Sequence, residues 1–348
     1  MSDVAVVSWE PDWEGKVKIV LGLVRRYLVS ELEPKSGRVI PYRFYGYGPY
    51  IDPYTFHPDH ECTAGLGPPL SKLPPSRWCL LMPSVDVLFV EVLESDVGFP
   101  VNLYGTVLVR DELNHKCIYL FRRDRDNCQV VESSYDSLPL IGPSRGLVAC
   151  DELLFEIDLK FRCDDDHHHG DKNFSKGIIE HDNVYYERFN FKKHELTSWL
   201  STVGLTCAAN IRYGVEATIK VKIIKGPRYF HGKIKDRTAK NPNNILLYDS
   251  DEVSCNAIIS GCDDDGFVNL SRRVVAVNVD DELLIRARVW HGDDIKGQSC
   301  TVRFVSPGMQ PDEQYCNCFV GSYVLRFEVS WSAIVRDAKR VEGDIVMF

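Results

Sequence analysis

Leu154-Phe155-Glu156-Ile157-Asp158-Leu159-Lys160-Phe161 puts Phe155, Ile157, Leu159 and Phe161 on one side of an extended chain and Glu156, Asp158 and Lys160 on the other. That is the period-two pattern of a strand with one buried face and one wet face. A second stretch, Leu283-Leu284-Ile285-Arg286-Ala287-Arg288-Val289-Trp290, keeps the alternation with Arg286 and Arg288 outside. The outward charges change sign between the two, so they serve no shared structural purpose.

Working outward, the surroundings of the two stretches repeat as well. At an offset of 127 residues Phe99-Pro100 falls on Gly226-Pro227, Tyr104-Gly105 on His231-Gly232, and Ile118-Tyr119-Leu120 on Ile245-Leu246-Leu247. Ser144-Arg145-Gly146-Leu147-Val148-Ala149 falls on Ser271-Arg272-Arg273-Val274-Val275-Ala276. Three inserted residues later Asp151-Glu152-Leu153-Leu154 meets Asp281-Glu282-Leu283-Leu284. What recurs is apolar alternation, Gly and Pro rather than reactive side chains, so a folding unit is duplicated and not a catalytic site.

Further strands are predicted at Val85 to Val92, Leu103 to Val109, Cys117 to Phe121, Gly146 to Ala149, Val215 to Ile224, Ile245 to Tyr248, Arg273 to Val279, Thr301 to Val305 and Tyr323 to Trp331. Short strands with turn residues between them predict an all-β fold, a β-sandwich built from two repeated halves. The expected division is an N-terminal helix and irregular arm over residues 1-82, a first half over 83-205 and a second over 206-348.

Val17, Val20, Leu21, Val24, Tyr27, Leu28 and Leu32 approximate one face of a helix from Gly15 to Glu33, stopped by Pro34. Its expected home is against the chain's own sheets, with a membrane surface or partner groove as the alternative. From Pro41 to Pro83, Tyr45, Tyr47, Tyr50, Tyr54 and Phe56 are interleaved with Gly and Pro, which predicts an extended connector. Its rings either pack back on the protein or bind a partner.

A net charge of -9 and a pI near 5.6 argue against a domain held to nucleic acid by phosphate attraction. Asp124 and Asp126 offset the basic run at Arg122, Arg123 and Arg125, which predicts ion pairs within a hairpin. Neither a secretory leader nor a membrane-spanning run is evident, so the expectation is a soluble cytoplasmic or nuclear protein that is not secreted. Its twelve cysteines are then expected to be reduced, including Cys300 and the Cys316-Asn317-Cys318 pair.

Two acidic triplets, Asp164, Asp165, Asp166 and Asp263, Asp264, Asp265, are oxygen donors suited to calcium, but they follow no cation-loop spacing and do not coincide under the repeat. His167, His168 and His169 adjoin the first; consecutive residues converge poorly on one metal, so a polar insert is favoured. No nucleophile elbow, phosphate loop or His-Glu-x-x-His helix occurs, and neither a catalytic residue nor a cofactor is expected.

Asn102-Leu103-Tyr104-Gly105-Thr106-Val107-Leu108-Val109-Arg110-Asp111, Phe121-Arg122-Arg123-Asp124-Arg125-Asp126, Ile141-Gly142-Pro143-Ser144-Arg145-Gly146 and Phe155-Glu156-Ile157-Asp158-Leu159-Lys160 resemble the plant domain of unknown function numbered 6598. Val215-Glu216-Ala217-Thr218-Ile219-Lys220-Val221 and Arg272-Arg273-Val274-Val275-Ala276-Val277 look like its second half. The resemblance runs from Pro83 to Val335. It implies no activity and no catalytic residues, and hints at defence because members abound in grasses and some related chains carry a ribosome-inactivating module.

That enzyme class needs a Glu followed one helical turn later by Arg; Glu216 is instead followed by Ile219 in a strand pattern. The expectation is therefore a non-enzymatic interaction module with a protein partner. The alternatives are a toxin-like rRNA glycosidase or other hydrolase, and a calcium-responsive, membrane-binding sandwich.

Overall fold

A computed structural model of the chain describes residues 13–46, 51–52, 54–163, 171–183, 191–208, 211–251, 265–290, 297–306 and 311–337. The described chain opens with α1 (Trp13–Leu28) and the hairpin β1 (Ser30–Glu33) and β2 (Arg38–Pro41). The helix predicted to reach Glu33 is thus cut short. Its last four residues pair in register from Ser30↔Pro41 to Glu33↔Arg38, turning through Gly37 at φ 65. The Glu33 carboxylate closes the turn by accepting the Lys35 and Ser36 N–H groups at 2.9 and 2.6 Å, and it takes the Trp199 N–H at 2.9 Å. These three bonds, with a fourth from the Ser36 hydroxyl, outweigh the cost of burying it and hold its pKa down at about 2.

Beyond the hairpin the arm is irregular, as its Pro and Gly content predicts, apart from two 3₁₀ turns at Leu70–Lys72 and Pro75–Leu80. The first repeat then builds β3 (Val87–Ser95), β4 (Val101–Arg110), β5 (Ile118–Arg123), β6 (Gln129–Val131), β7 (Asp136–Ser137), β8 (Glu152–Phe161), β9 (Lys172–Asp182), β10 (Phe191–Ser198) and β11 (Ser201–Ala208). The second builds β12 (Gly214–Lys225), β13 (Gly232–Thr238), β14 (Ile245–Asp249), β15 (Val274–Asn278), β16 (Glu282–Val289), β17 (Gln298–Val305), β18 (Glu313–Val320) and β19 (Tyr323–Ala333).

Each repeat makes two antiparallel sheets in the same strand order. Strands β3, β11 and β10 of the sheet β7-β3-β11-β10 correspond to β12, β19 and β18 of β15-β12-β19-β18, with β7 and β15 filling the same edge from different parts of the repeat, and β5-β4-β8-β9 corresponds to β14-β13-β16-β17, with β6 added on β4. The correspondence reaches single residues. Gly105 pairs with Leu159 and Gly232 with Val289, and a bulge at Val107/Leu108 recurs at Ile234/Lys235. At both glycines a Cβ would overlap a carbonyl oxygen of the neighbouring strand, of Asp158 in one copy and of Arg288 in the other. Only glycine lets the strands approach so closely there.

The alternate residues of each repeat meet in a core of their own. Val90, Val92, Leu103, Val107, Phe155, Ile157 and Leu205 are fully buried in the first, and Ile219, Val221, Ile234, Leu283, Ile285, Leu325 and Phe327 in the second. Burial stabilises each by roughly 1.5–3 kcal/mol, so these ladders dominate the fold.

Four expectations are corrected. Gly146 to Ala149 is not a strand: its N–H groups go singly to the Glu216 carboxylate, the Asp111 carboxylate and the Pro83 carbonyl, leaving no ladder. Glu156 is not wet, because the arm lies over it, and it is 4% exposed. Arg122 and Arg125 pair outside their own hairpin, with Glu61 at 2.8 Å and Asp171 at 2.7 Å. Cys300 and Cys318 are joined in a disulfide rather than reduced, because neighbouring edge strands β17 and β18 bring their Cα atoms to 6.5 Å.

Candidate functional site

Buried carboxylates in the two halves act as structural acceptors. Glu216 on β12 is 1% exposed and accepts the Gly67 N–H at 2.6 Å and the Gly146 N–H at 2.5 Å, tying the second half to the arm and to the first half. Burial raises its pKa and those two N–H groups oppose the rise. Each of its oxygens is engaged by a backbone donor, and at 1% exposure its carboxylate is out of reach of a substrate in solution. Asp86 does the reverse, accepting the Ala276 N–H of the second half at 3.1–3.2 Å.

Arg110 and Glu156 form a second buried knot. Arg110 donates to Glu156 from Nε at 2.6 Å and Nη2 at 3.2 Å, and to the carbonyls of Pro58 and His115 at 2.6 and 2.9 Å. Glu156 also accepts the Phe44 N–H at 2.8 Å. The guanidinium lies 5.9 Å from the ring centres of both Phe44 and Phe56, which meet edge to face. This knot anchors the arm, so Phe56 is spent on packing, Tyr45 is half-buried and Tyr54 is exposed. Tyr47 and Tyr50 lie outside the described residues.

Sequence reasoning missed the pair His181 on β9 and His194 on β10, whose Nδ1 and Nε2 stand 3.0 Å apart. Burial pushes both down to about 4, helped for His181 by His194 and for both by Lys192. One neutral ring donates and the other accepts, so the pair fastens adjacent edge strands. Both strands were unread in the sequence, so nothing there placed the two histidines together.

Asp164, Asp165, Asp166, His167, His168, His169, Asp263 and Asp264 lie outside the described residues, and Asp265 is exposed. Among the described residues no group of three or more His, Cys, Asp or Glu is placed to hold a metal ion.

The surface that stands out is α1, whose orientation reverses the expectation. Glu14, Lys18, Gly22 and Arg25 share one face; Gly22 is the buried residue of the helix, and Arg25 lies over the Phe56 ring at 5.9 Å. Arg25 brings that side of the helix to the arm, with Gly15 and Leu21 half-buried beside Gly22, while Glu14 and Lys18 stay exposed. The opposite face, Trp13, Val17, Val20, Val24 and Tyr27 at 4-3-4-3 spacing, points to solvent with exposures of 45–79%. Ile19, Leu23 and Leu28 widen it, and Leu32 and Val39 of the hairpin are exposed at 64% and 66%. Lys16 falls within the widened stripe between Leu23 and Tyr27, and Arg26 lies just beyond Ile19, while Lys18 pairs with Glu14 and Arg25 is turned to the arm. Burying a Val or Leu is worth roughly 1.5–3 kcal/mol, so eight large apolar side chains left in water hold a substantial reserve of contact energy.

The chain belongs to the family described as a domain of unknown function, DUF6598, whose profile matches residues 84–329. No curated protein matches it significantly. Among solved structures it is similar to the tandem C2 domains of Extended-Synaptotagmin 2, at 9% identity and TM-score 0.24, covering 82% of this chain and 98% of that one. A longer fragment of that protein, in which an SMP domain precedes the same tandem, gives 8% identity and TM-score 0.25 over 73% of this chain and 57% of that one. Human GIVD cytosolic phospholipase A2 gives 8% and 0.21 over 72% of this chain and 32% of that one. At such TM-scores the likeness carries no functional argument. No helix among the described residues is long and apolar enough to cross a membrane.

Proposed function

We propose that the protein is a non-enzymatic interaction module in which residues 83-205 and 206-348 form a rigid double sandwich and residues 1-82 supply the attachment surface. The observation that supports this is the orientation of α1, in which Gly22 is buried and Arg25 lies over Phe56 of the arm with the apolar stripe outward. The buried acids support it from the other side: Glu216, the nearest match to a glycosidase glutamate, is occupied by two backbone donors. An intracellular setting, and a role in plant stress or defence suggested by the family resemblance, belong to the same proposal and add no residue to it.

The test is to place Val20→Asp and Val24→Asp together in the full chain. Both side chains are more than half exposed, so the melting temperature should stay within about 2 °C, while fluorescence of a bound apolar dye such as ANS should fall. A drop of many degrees would mean that the stripe is part of a packed core, and the reading would be wrong.

A further inference from the structure

We infer that the outward face of α1 docks on an anionic lipid bilayer, lying flat in the interface with Lys16 and Arg26 on the headgroups. The inference rests on the interaction-module reading and names the partner of that same surface.

The apolar arc is the first argument. Counting Ile19, Leu23 and Leu28 with the 4-3-4-3 row, it spans about half of the helix circumference, with Lys16 set within it. A helix that pairs with another helix needs only a narrow seam, whereas one lying in a membrane interface buries a broad face against the acyl boundary. At 16 residues it is about 24 Å long, enough for a stable contact along its whole length.

Charge is the second. The whole chain carries -9, yet α1 holds Lys16, Lys18, Arg25 and Arg26 against Glu14 alone. An acidic protein with a locally basic, apolar helix fits a surface that is both negative and greasy. A second copy of the same helix is a poor fit, since antiparallel pairing would bring Lys16 and Lys18 of one against Arg25 and Arg26 of the other. The distribution of residue types is the third: Trp13 and Tyr27 stand at the two ends of the stripe, rings that favour the headgroup level. Lys16 Nζ lies 5.0 Å from the Trp13 ring centre and, like Arg26, can extend toward phosphate while its stem stays apolar.

The experiment is flotation of the full chain with phosphatidylcholine vesicles containing about one-third phosphatidylserine, against phosphatidylcholine alone. The expected result is binding to the anionic vesicles, weakened on the order of tenfold by Val20→Asp with Val24→Asp or by Lys16→Glu with Arg26→Glu, and weakened again by salt at about 0.5 M. Sedimentation of the same samples without lipid separates the two readings. No binding to anionic vesicles, together with self-association abolished by the Asp pair, overturns the lipid assignment and leaves the interaction module standing with a second copy as its partner. Absence of both vesicle binding and self-association, with dye binding unchanged by the Asp pair, overturns both.

Discussion

Arg145 and Arg272 occupy the same place in the two copies, yet they are treated in opposite ways. Arg145 holds the Asp111 carboxylate end-on, from Nη1 at 2.6 Å and Nη2 at 2.9 Å, and Asp111 also takes the Val148 N–H at 2.8 Å. In the second copy Thr238 stands where Asp111 would be. Arg272, 2% exposed, donates from Nη1 to the Val87 carbonyl at 2.7 Å and keeps Nε and Nη2 without a protein partner. Its nearby acids are Asp86 and Asp236, the latter standing where the first copy has Val109. Burial pushes Asp86 up to about 6, and it raises Asp236 well above the usual carboxylate range, with Asp86 adding to the rise. One fold therefore accommodates either a closed pair or a loose, underbonded cluster. The framework does not require the acid at position 236.

The largest effect should come from opening the closed pair. Asp111→Ala leaves a buried guanidinium and the Val148 N–H without their acceptor, and should cost about 3–5 kcal/mol in denaturant unfolding. A loss under about 1 kcal/mol would mean the pair is no more important than the loose cluster.

Acid should then separate the buried histidines from the buried acid by sign. The His181 and His194 rings stay neutral in the fold down to about pH 4, while in the unfolded chain they take protons near 6.5. The fold therefore has its full histidine contribution above pH 6.5 and loses it as pH falls to 4, by an amount on the order of 3 kcal/mol for buried His181. Asp86 runs the other way, because its folded pKa lies above the unfolded 3.8 and stability is lost as pH rises from there to about 6. Stability curves of the wild type and His194→Gln between pH 4 and 7 check the assignment. If the variant loses stability on acidification as steeply as the wild type, the histidine pair is not the source.

The smallest expected change is also the sharpest comparison. Asp236→Val installs the first copy's residue in the second and removes an underbonded buried acid, so it should be neutral or stabilise by up to about 2 kcal/mol at pH 7. Destabilisation beyond about 1 kcal/mol would show that Asp236 contributes to holding Arg272.

The fold was legible where periodicity and duplication agreed. Phe155, Ile157 and Leu159 announced β8, and the offset carried that reading to β16 with its register. Duplication also misled, since Gly146 to Ala149 was read as a strand like its partner β15. Strands β10 and β18 went unread because edge strands tolerate polar residues on their open side, as in Phe191-Lys192-Lys193-His194. The role of Glu216 was invisible because its donors sit 149 and 70 residues away in sequence. For α1 the wheel disclosed an apolar face and nothing about which side would meet the protein. Gly22 among the polar positions was the available signal, since close approach of a helix favours a residue without a side chain.

Asp86 reaching to Ala276, and Glu216 reaching to Gly146, make each sandwich the supplier of an acceptor that the other's backbone needs. A chain severed between them would strand buried acids and amides on both sides of the cut. Either half alone would carry an acid and an amide whose partners lie in the other. The two copies thus share acceptors that neither repeat supplies for itself.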